Sequence, residues 1–322
     1  MLRTIRRTDE VAFVPHLSVS IGVLLAMVSI GVLIYFIHHV SVSIQADEVV
    51  ARVGRELASS IDRMFPDRLG EPESATSIVP SEAGLPAAFA HEARPVGAPE
   101  DSYLQLIDAD ALMALAIEED LLLRLQRRPG QYLVNGRAMV MVWPGLRLTE
   151  ALVDKVNAAF VFGNQRTAAQ DVEFSFNQLV EIAVRALTPG INDPFTAIAC
   201  VDRLGSSLCS LARRDRPSTL RFDRHGRLRL VAPGSSFAGI VDVAFNQIRQ
   251  SARSNPAVAI RVLDAIAQVA CHVQSASDAA CLQRHAGMIV RGAREAVPEA
   301  DDRRAVEAAF TAATQAMSAF NG

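Results

Sequence analysis

From Leu17 to Ile37 the chain runs 21 residues without a charged side chain. A helix of that length is roughly 31 Å long at about 1.5 Å per residue, which matches the hydrocarbon thickness of a bilayer. Thirteen of these residues are Leu, Ile, Val or Phe, and each favours insertion by roughly 0.3–0.6 kcal/mol near mid-membrane. The run is longer than the core of a signal peptide, and no small-x-small cleavage site follows it. Residues 14–40 therefore read as a transmembrane helix behind a juxtamembrane segment, 1–13. Ser18, Gly22 and Ala26 recur every fourth residue, a stripe that lets another membrane helix approach closely. His38 and His39 stand at the interfacial end, and arginines flank both ends, so the charge pattern sets no orientation.

Past the membrane, Val50, Val53, Leu57, Ile61 and Met64 keep a three-or-four spacing. This predicts an amphipathic stalk over 41–65, halted by Pro66, whose apolar face packs on its own domain or on a second copy of the chain. Six of the 15 prolines fall between Pro66 and Glu100, together with Gly70, Gly84 and Gly97. That stretch reads as a flexible or partly extended linker. A small β-rich unit over 101–148 follows, with strands at Tyr103–Asp108, Leu121–Gln126 and Arg137–Trp143 and turns at Arg128-Pro129-Gly130 and Asn135-Gly136. Its turn spacing resembles barrel-sandwich hybrid domains, the fold of biotinyl and lipoyl carriers, but no lysine occupies the hairpin to carry such a group.

After Thr149 the apolar period becomes 3.6, predicting helices over 149–161, 163–188, 194–213, 236–252, 256–274, 277–296 and 299–320. Asn192-Asp193-Pro194 and Asn255-Pro256 place a capping residue ahead of a first-turn proline. A β-hairpin, Thr219 to Val231, interrupts the bundle. The fold class is thus mainly α: one N-terminal transmembrane helix, a small barrel-sandwich-like β unit, and a helical domain over 149–322 broken by a hairpin. Cys200, Cys209, Cys271 and Cys281 lie in apolar helical stretches without CxxC spacing, which reads as small core residues rather than a metal site. The net charge of -3 argues against nucleic acid as a partner. Seven arginines between Arg213 and Arg229, interrupted by Asp215 and Asp223, read as an exposed hairpin. Phosphate-loop, HExxH, GxSxG and dinucleotide-binding signatures are absent from the sequence, which argues against the familiar enzyme classes and leaves any cofactor unknown.

The densest polar segment is Phe162 to Thr196. At 100° per residue, Arg166, Gln170, Glu173, Asn177, Glu181 and Arg185 share one helix face, opposite Val172, Phe176, Leu179, Val180, Ala183 and Leu187. The simplest reading is a solvated face, with Glu181 and Arg185 as an i,i+4 pair worth about 0.3–0.5 kcal/mol. The functional reading sets these residues, with Asp171, Gln178, Asn192 and Asp193, around a pocket or interface. There Arg166 or Arg185 holds an anion, and Glu173 or Glu181 serves as a base.

Arg166-Thr167-x-x-Gln170-Asp171, Gln178-Leu179-Val180-Glu181-Ile182-Ala183, Arg185-Ala186-Leu187 and Pro189-Gly190-Ile191-Asn192-Asp193-Pro194 resemble the bacterial membrane proteins of the domain of unknown function 2254 family. The resemblance reaches back through Tyr103-Leu104-Gln105-Leu106-Ile107-Asp108 and Tyr35-Phe36-Ile37-His38-His39. It implies an inner-membrane protein with a cytoplasmic C-terminal domain and no established activity. It also implies that this chain starts just before the last of several membrane helices. The expected partners are the lipid bilayer and, through the membrane helix and stalk, a second copy. The leading expectation is a regulatory, sensing or transport-associated protein whose cytoplasmic domain binds a partner or small ligand. The alternatives are a membrane-surface enzyme using Glu173, Glu181 or Asp193 beside the arginines, and a channel subunit.

Overall fold

The computed structural model describes residues 16–43, 46–65 and 85–318, so the juxtamembrane segment 1–13 and linker residues 66–84 lie outside the described residues. The chain divides into two units, Met1–Val49 and Val50–Gly322.

In the first unit, α1 (His16–Ser43) is one unbroken helix of 28 residues. The side chains from Leu17 to Phe36 are all exposed, Leu17 at 78% and Ile34 at 62%. A helix apolar on every side buries nothing in water and is suited to lipid. α7 (Pro194–Ala212) is also long and apolar enough to cross a membrane, but over half of it is buried inside the protein. There Cys200, Val201, Leu204 and Leu208 are fully enclosed.

The second unit takes in α2 (Ala46–Met64) from Val50 onward. Val50, Val53, Leu57 and Ile61 are buried against the unit itself. Arg214 fastens the end of the helix by donating to the Phe65 carbonyl at 2.7 Å and pairing with Asp62. The face with which a stalk would grip a second copy is thus occupied by its own chain.

Residues 85–100, read from sequence as linker, hold the short α3 (Phe89–Glu92) and β1 (Arg94–Gly97). β1 is the outer strand of a sheet, where Pro95 loses no ladder hydrogen bond that the sheet requires. There follow β2 (Ser102–Ile107), α4 (Ala109–Glu118), β3 (Leu122–Leu125), β4 (Tyr132–Leu133), β5 (Ala138–Trp143), α5 (Glu150–Ala158) and β6 (Phe160–Gly163). After α6 (Val172–Ala186) and α7 comes the hairpin of β7 (Leu220–Phe222) and β8 (Leu228–Val231), then α8 (Phe237–Ser251), α9 (Pro256–Ala270), α10 (Ala276–Ala296) and α11 (Ala300–Ser318).

The strands form a five-stranded sheet, β1-β5-β3-β8-β7, and a three-stranded sheet, β4-β2-β6. The hairpin therefore joins the β unit: β8 runs parallel to β3, with Leu123 opposite Leu230. Val96, Leu104, Leu112, Leu123, Val140, Val156 and Leu230 meet in one apolar cluster. The tip of the hairpin is exposed, with Arg221, Arg224 and Arg227 in solvent, while two neighbouring arginines brace its base. Arg229, 8% exposed, pairs with Asp120 at 2.7 Å and Asp223 at 2.9 Å. A backbone hydrogen bond from Arg227, helped by Arg229, brings the Asp223 carboxyl down to about 2. Arg216 pairs with Asp278.

Among the described residues seven helices open on a side-chain cap, including Asp171, Asp193 and Asn255. Of the four free cysteines, Cys200 and Cys281 are core residues, while Cys271 is exposed and so departs from the core reading. Burial pushes the Cys200 thiol up to about 12.

Candidate functional site

The helix expected over 163–188 starts only at Val172, because β6 ends at Gly163 and Asp171 caps the first turn. Arg166 and Gln170 therefore lie in the connecting loop, and the continuous six-residue stripe is really two sets of side chains.

The first set ties the loop and the start of α6 to the β layers. β6 lies antiparallel to β2, with Phe160 opposite Ile107. Gln170 then acts as an extra rung: its Oε1 accepts from the Ile107 amide at 2.9 Å and its Nε2 donates to the Ile107 carbonyl at 3.1 Å. Gln170 also borders a shallow depression of about 600 Å³, shared with Asp108, Asp110 and Arg221.

Asp171 is 5% exposed, and both of its oxygens are engaged. Oδ1 accepts from the Phe174 amide at 3.1 Å, and Oδ2 accepts from Arg166 Nε at 2.9 Å. Burial pushes this carboxyl up, while Arg166 pulls it down. The Arg166 guanidinium also stands 5.5 Å from the centre of the Phe174 ring. Glu173 receives a two-pronged contact from Arg128, at 2.6 and 2.9 Å. Arg128 Nη1 donates as well to the Ser235 hydroxyl just ahead of α8. One guanidinium so joins the β3–β4 turn, α6 and the entry to α8.

The second set stands in solvent. Glu181 and Arg185 pair at 2.7 Å with both side chains 70% exposed, and Asn177 and Gln178 are half-buried. At the far end of α6 the amide of Asn192, a residue at φ +48°, donates to the Thr188 carbonyl at 2.8 Å. Asp193 caps α7 by accepting from the Thr196 amide at 3.1 Å and from its hydroxyl. These Thr196 hydrogen bonds hold the Asp193 carboxyl below its ordinary range. The turn leaves Ile191 57% and Phe195 80% exposed.

Arg166 and the Ile191–Asp193 loop flank opposite ends of a 15-residue helix, roughly 22 Å apart at about 1.5 Å per residue. They cannot share one small ligand. Sequence reasoning missed Arg128, Gly130 and Ser235 as partners of the segment. Arg128-Pro129-Gly130 was legible only as a turn. Yet a Cβ on Gly130, at φ +87°, would lie 1.8 Å from Asp171 Oδ2, so the turn and the cap are built against each other. No cluster of His, Cys, Asp and Glu suited to a metal occurs among the described residues.

The family model described as a predicted membrane protein, DUF2254, matches residues 1–268. An uncharacterized protein of Mycobacterium bovis and another of Mycobacterium tuberculosis are each 32% identical over 317 residues, 96% of this chain. The chain spans 58% of the length of these relatives. No solved structure matches the chain.

Proposed function

This chain belongs to the DUF2254 family of predicted membrane proteins, and on that premise we propose that it is a regulatory or transport-associated component of the bacterial inner membrane. Its soluble unit stands in the cytoplasm and binds a protein partner through the corner where α6 gives way to α7. The observation that supports this is the exposure of Ile191 on the turn and of Phe195 in the first turn of α7, a corner fixed by backbone hydrogen bonds and the Asp193 cap. A rigid backbone presents two large apolar side chains to water with no backbone left to order at binding, the property of an interface anchor. The Glu181–Arg185 pair beside it, exposed and replaceable, suits a polar rim. Of the carboxylates that would serve an enzyme, Glu173 is committed to Arg128 and Asp193 to a cap, while Glu181 stands in solvent with Arg185.

A photo-crosslinking residue placed at Phe195 of the full chain in its native membrane tests the reading. A discrete protein adduct is expected there and not at Phe222, which is 54% exposed on the hairpin. Identical patterns at the two positions would defeat it. Cys271, exposed, reports the side of the membrane. It should resist a membrane-impermeant maleimide in intact spheroplasts and react once they are permeabilised. Reaction before permeabilisation would place the soluble unit outside.

A further inference from the structure

Far along the chain from that corner, the end of α8, the start of α9 and the last turns of α10 enclose a cleft of about 330 Å³. Its floor is apolar: Ala259, Val262 and Ile289 are 6%, 1% and 4% exposed. Its walls carry Arg249, Arg253 and Arg291 against the single carboxylate of Glu295, a net of two positive charges. Arg249 Nε is buried and has no hydrogen-bond partner among the described residues. A buried, unpaired N–H of a charged group is costly, and the guanidinium it belongs to lines the cleft. The cations are only lightly compensated. Arg253 meets Glu295 at 3.3 Å with both side chains more than half exposed, and Arg291 has no ion pair among the described residues. Arg291 lies back over its own helix, where a Cβ on Gly287 would come 3.2 Å from its Nη1.

We propose that this cleft is a binding site for a phosphate monoester bearing an apolar body. A phosphate monoester carries close to two negative charges at neutral pH, which matches the net charge of the walls. Guanidinium forks pair with phosphate oxygens in the two-pronged geometry. An apolar body meets the floor, and the cleft volume falls in the range of small-ligand sites. The site shares no residue with the α6–α7 corner and stands whether or not a protein docks there.

Isothermal titration of the full chain in a non-ionic detergent, with phenyl phosphate as the probe, tests the proposal. Saturable binding is expected, at least tenfold tighter than for inorganic phosphate or phenol, each of which offers half of the recognition. Arg249→Gln and the exposed Arg291→Gln should each weaken phenyl phosphate by roughly tenfold or more. Gly292→Leu should abolish binding by filling the cleft. A Cβ at Gly292 meets only Arg253 Cβ, at 4.0 Å, so the backbone tolerates it. Arg294→Gln, on the same helix but paired with Glu307, should leave the affinity unchanged. Competition by dihexanoyl phosphatidic acid separates the sources of this chemistry: tighter binding than phenyl phosphate assigns the site to a lipid, weaker binding to a soluble phosphomonoester. The proposal is overturned by any of three results: no saturable binding, inorganic phosphate binding as tightly as phenyl phosphate, or folded Arg291→Gln and Gly292→Leu variants that bind like the wild type.

Discussion

The two ends of α6 bear similar residues and live under different physics. At its start, Asp171 and Glu173 are each held by an arginine from outside the helix, in surroundings from which water is largely removed. Near its end, Glu181 and Arg185 hold only each other, in solvent. A helical repeat fixes which side chains share a face but is silent on what lies over that face. The same i,i+4 spacing thus reads as one stripe whether it lies under a sheet or under water.

The contrast is open to attack in order of expected damage. Gly130→Ala drives a methyl into the Asp171 carboxylate and strains a left-handed backbone, and should cost about 3 kcal/mol or more. A thermal midpoint unchanged from wild type would mean that the turn and the cap are not packed as described. Glu173→Gln removes charge from both prongs of Arg128 and should cost about 1–3 kcal/mol. Denaturant melts of that variant beside Glu181→Gln sharpen the comparison, because the second change should stay within about 0.5 kcal/mol. Equal losses would erase the distinction between the two ends.

A graded effect comes from His285, fully enclosed on α10, with Nε2 2.7 Å from Asp242 Oδ1. Burial lowers its pKa, against the pull of Asp242, and the positive charges of Arg284 and Arg249 act in the same direction as burial. The unfolded chain then binds a proton that the folded chain refuses. Stability is full above the ordinary histidine range near pH 6.5 and falls as pH drops through the lowered folded value. Melting midpoints taken from pH 7.5 to 5 should decline more steeply for the wild type than for His285→Gln. Parallel curves would remove His285 from the account.

Much of this was visible in the residues. The uncharged run announced α1, and Asp193-Pro194 and Asn255-Pro256 marked the first turns of α7 and α9, because anchors and caps are set by local chemistry. The start of α6 was not legible, since Arg166 and Gln170 happen to continue the helical spacing across a loop and Phe160-Val161-Phe162 resembles the end of a helix as much as a strand. β1 was hidden by Pro95, which an outer strand tolerates. Of the site, the residue types were legible but their partners were not. Arg128 and Glu173 stand 45 positions apart, and Gln170 meets Ile107 across 63, separations that no periodicity reports.

The parallel pairing of β3 with β8 sets a timetable for biosynthesis. Leu123 cannot meet Leu230 until the ribosome has released everything between them, including α6 and α7. Closing so long a loop is slow compared with forming the helices it contains. During that wait one edge of β3 is unpaired, a template for any passing strand. Chains interrupted before Val231 are therefore expected to be cleared or to aggregate, while those that pass it complete the sheet in one step.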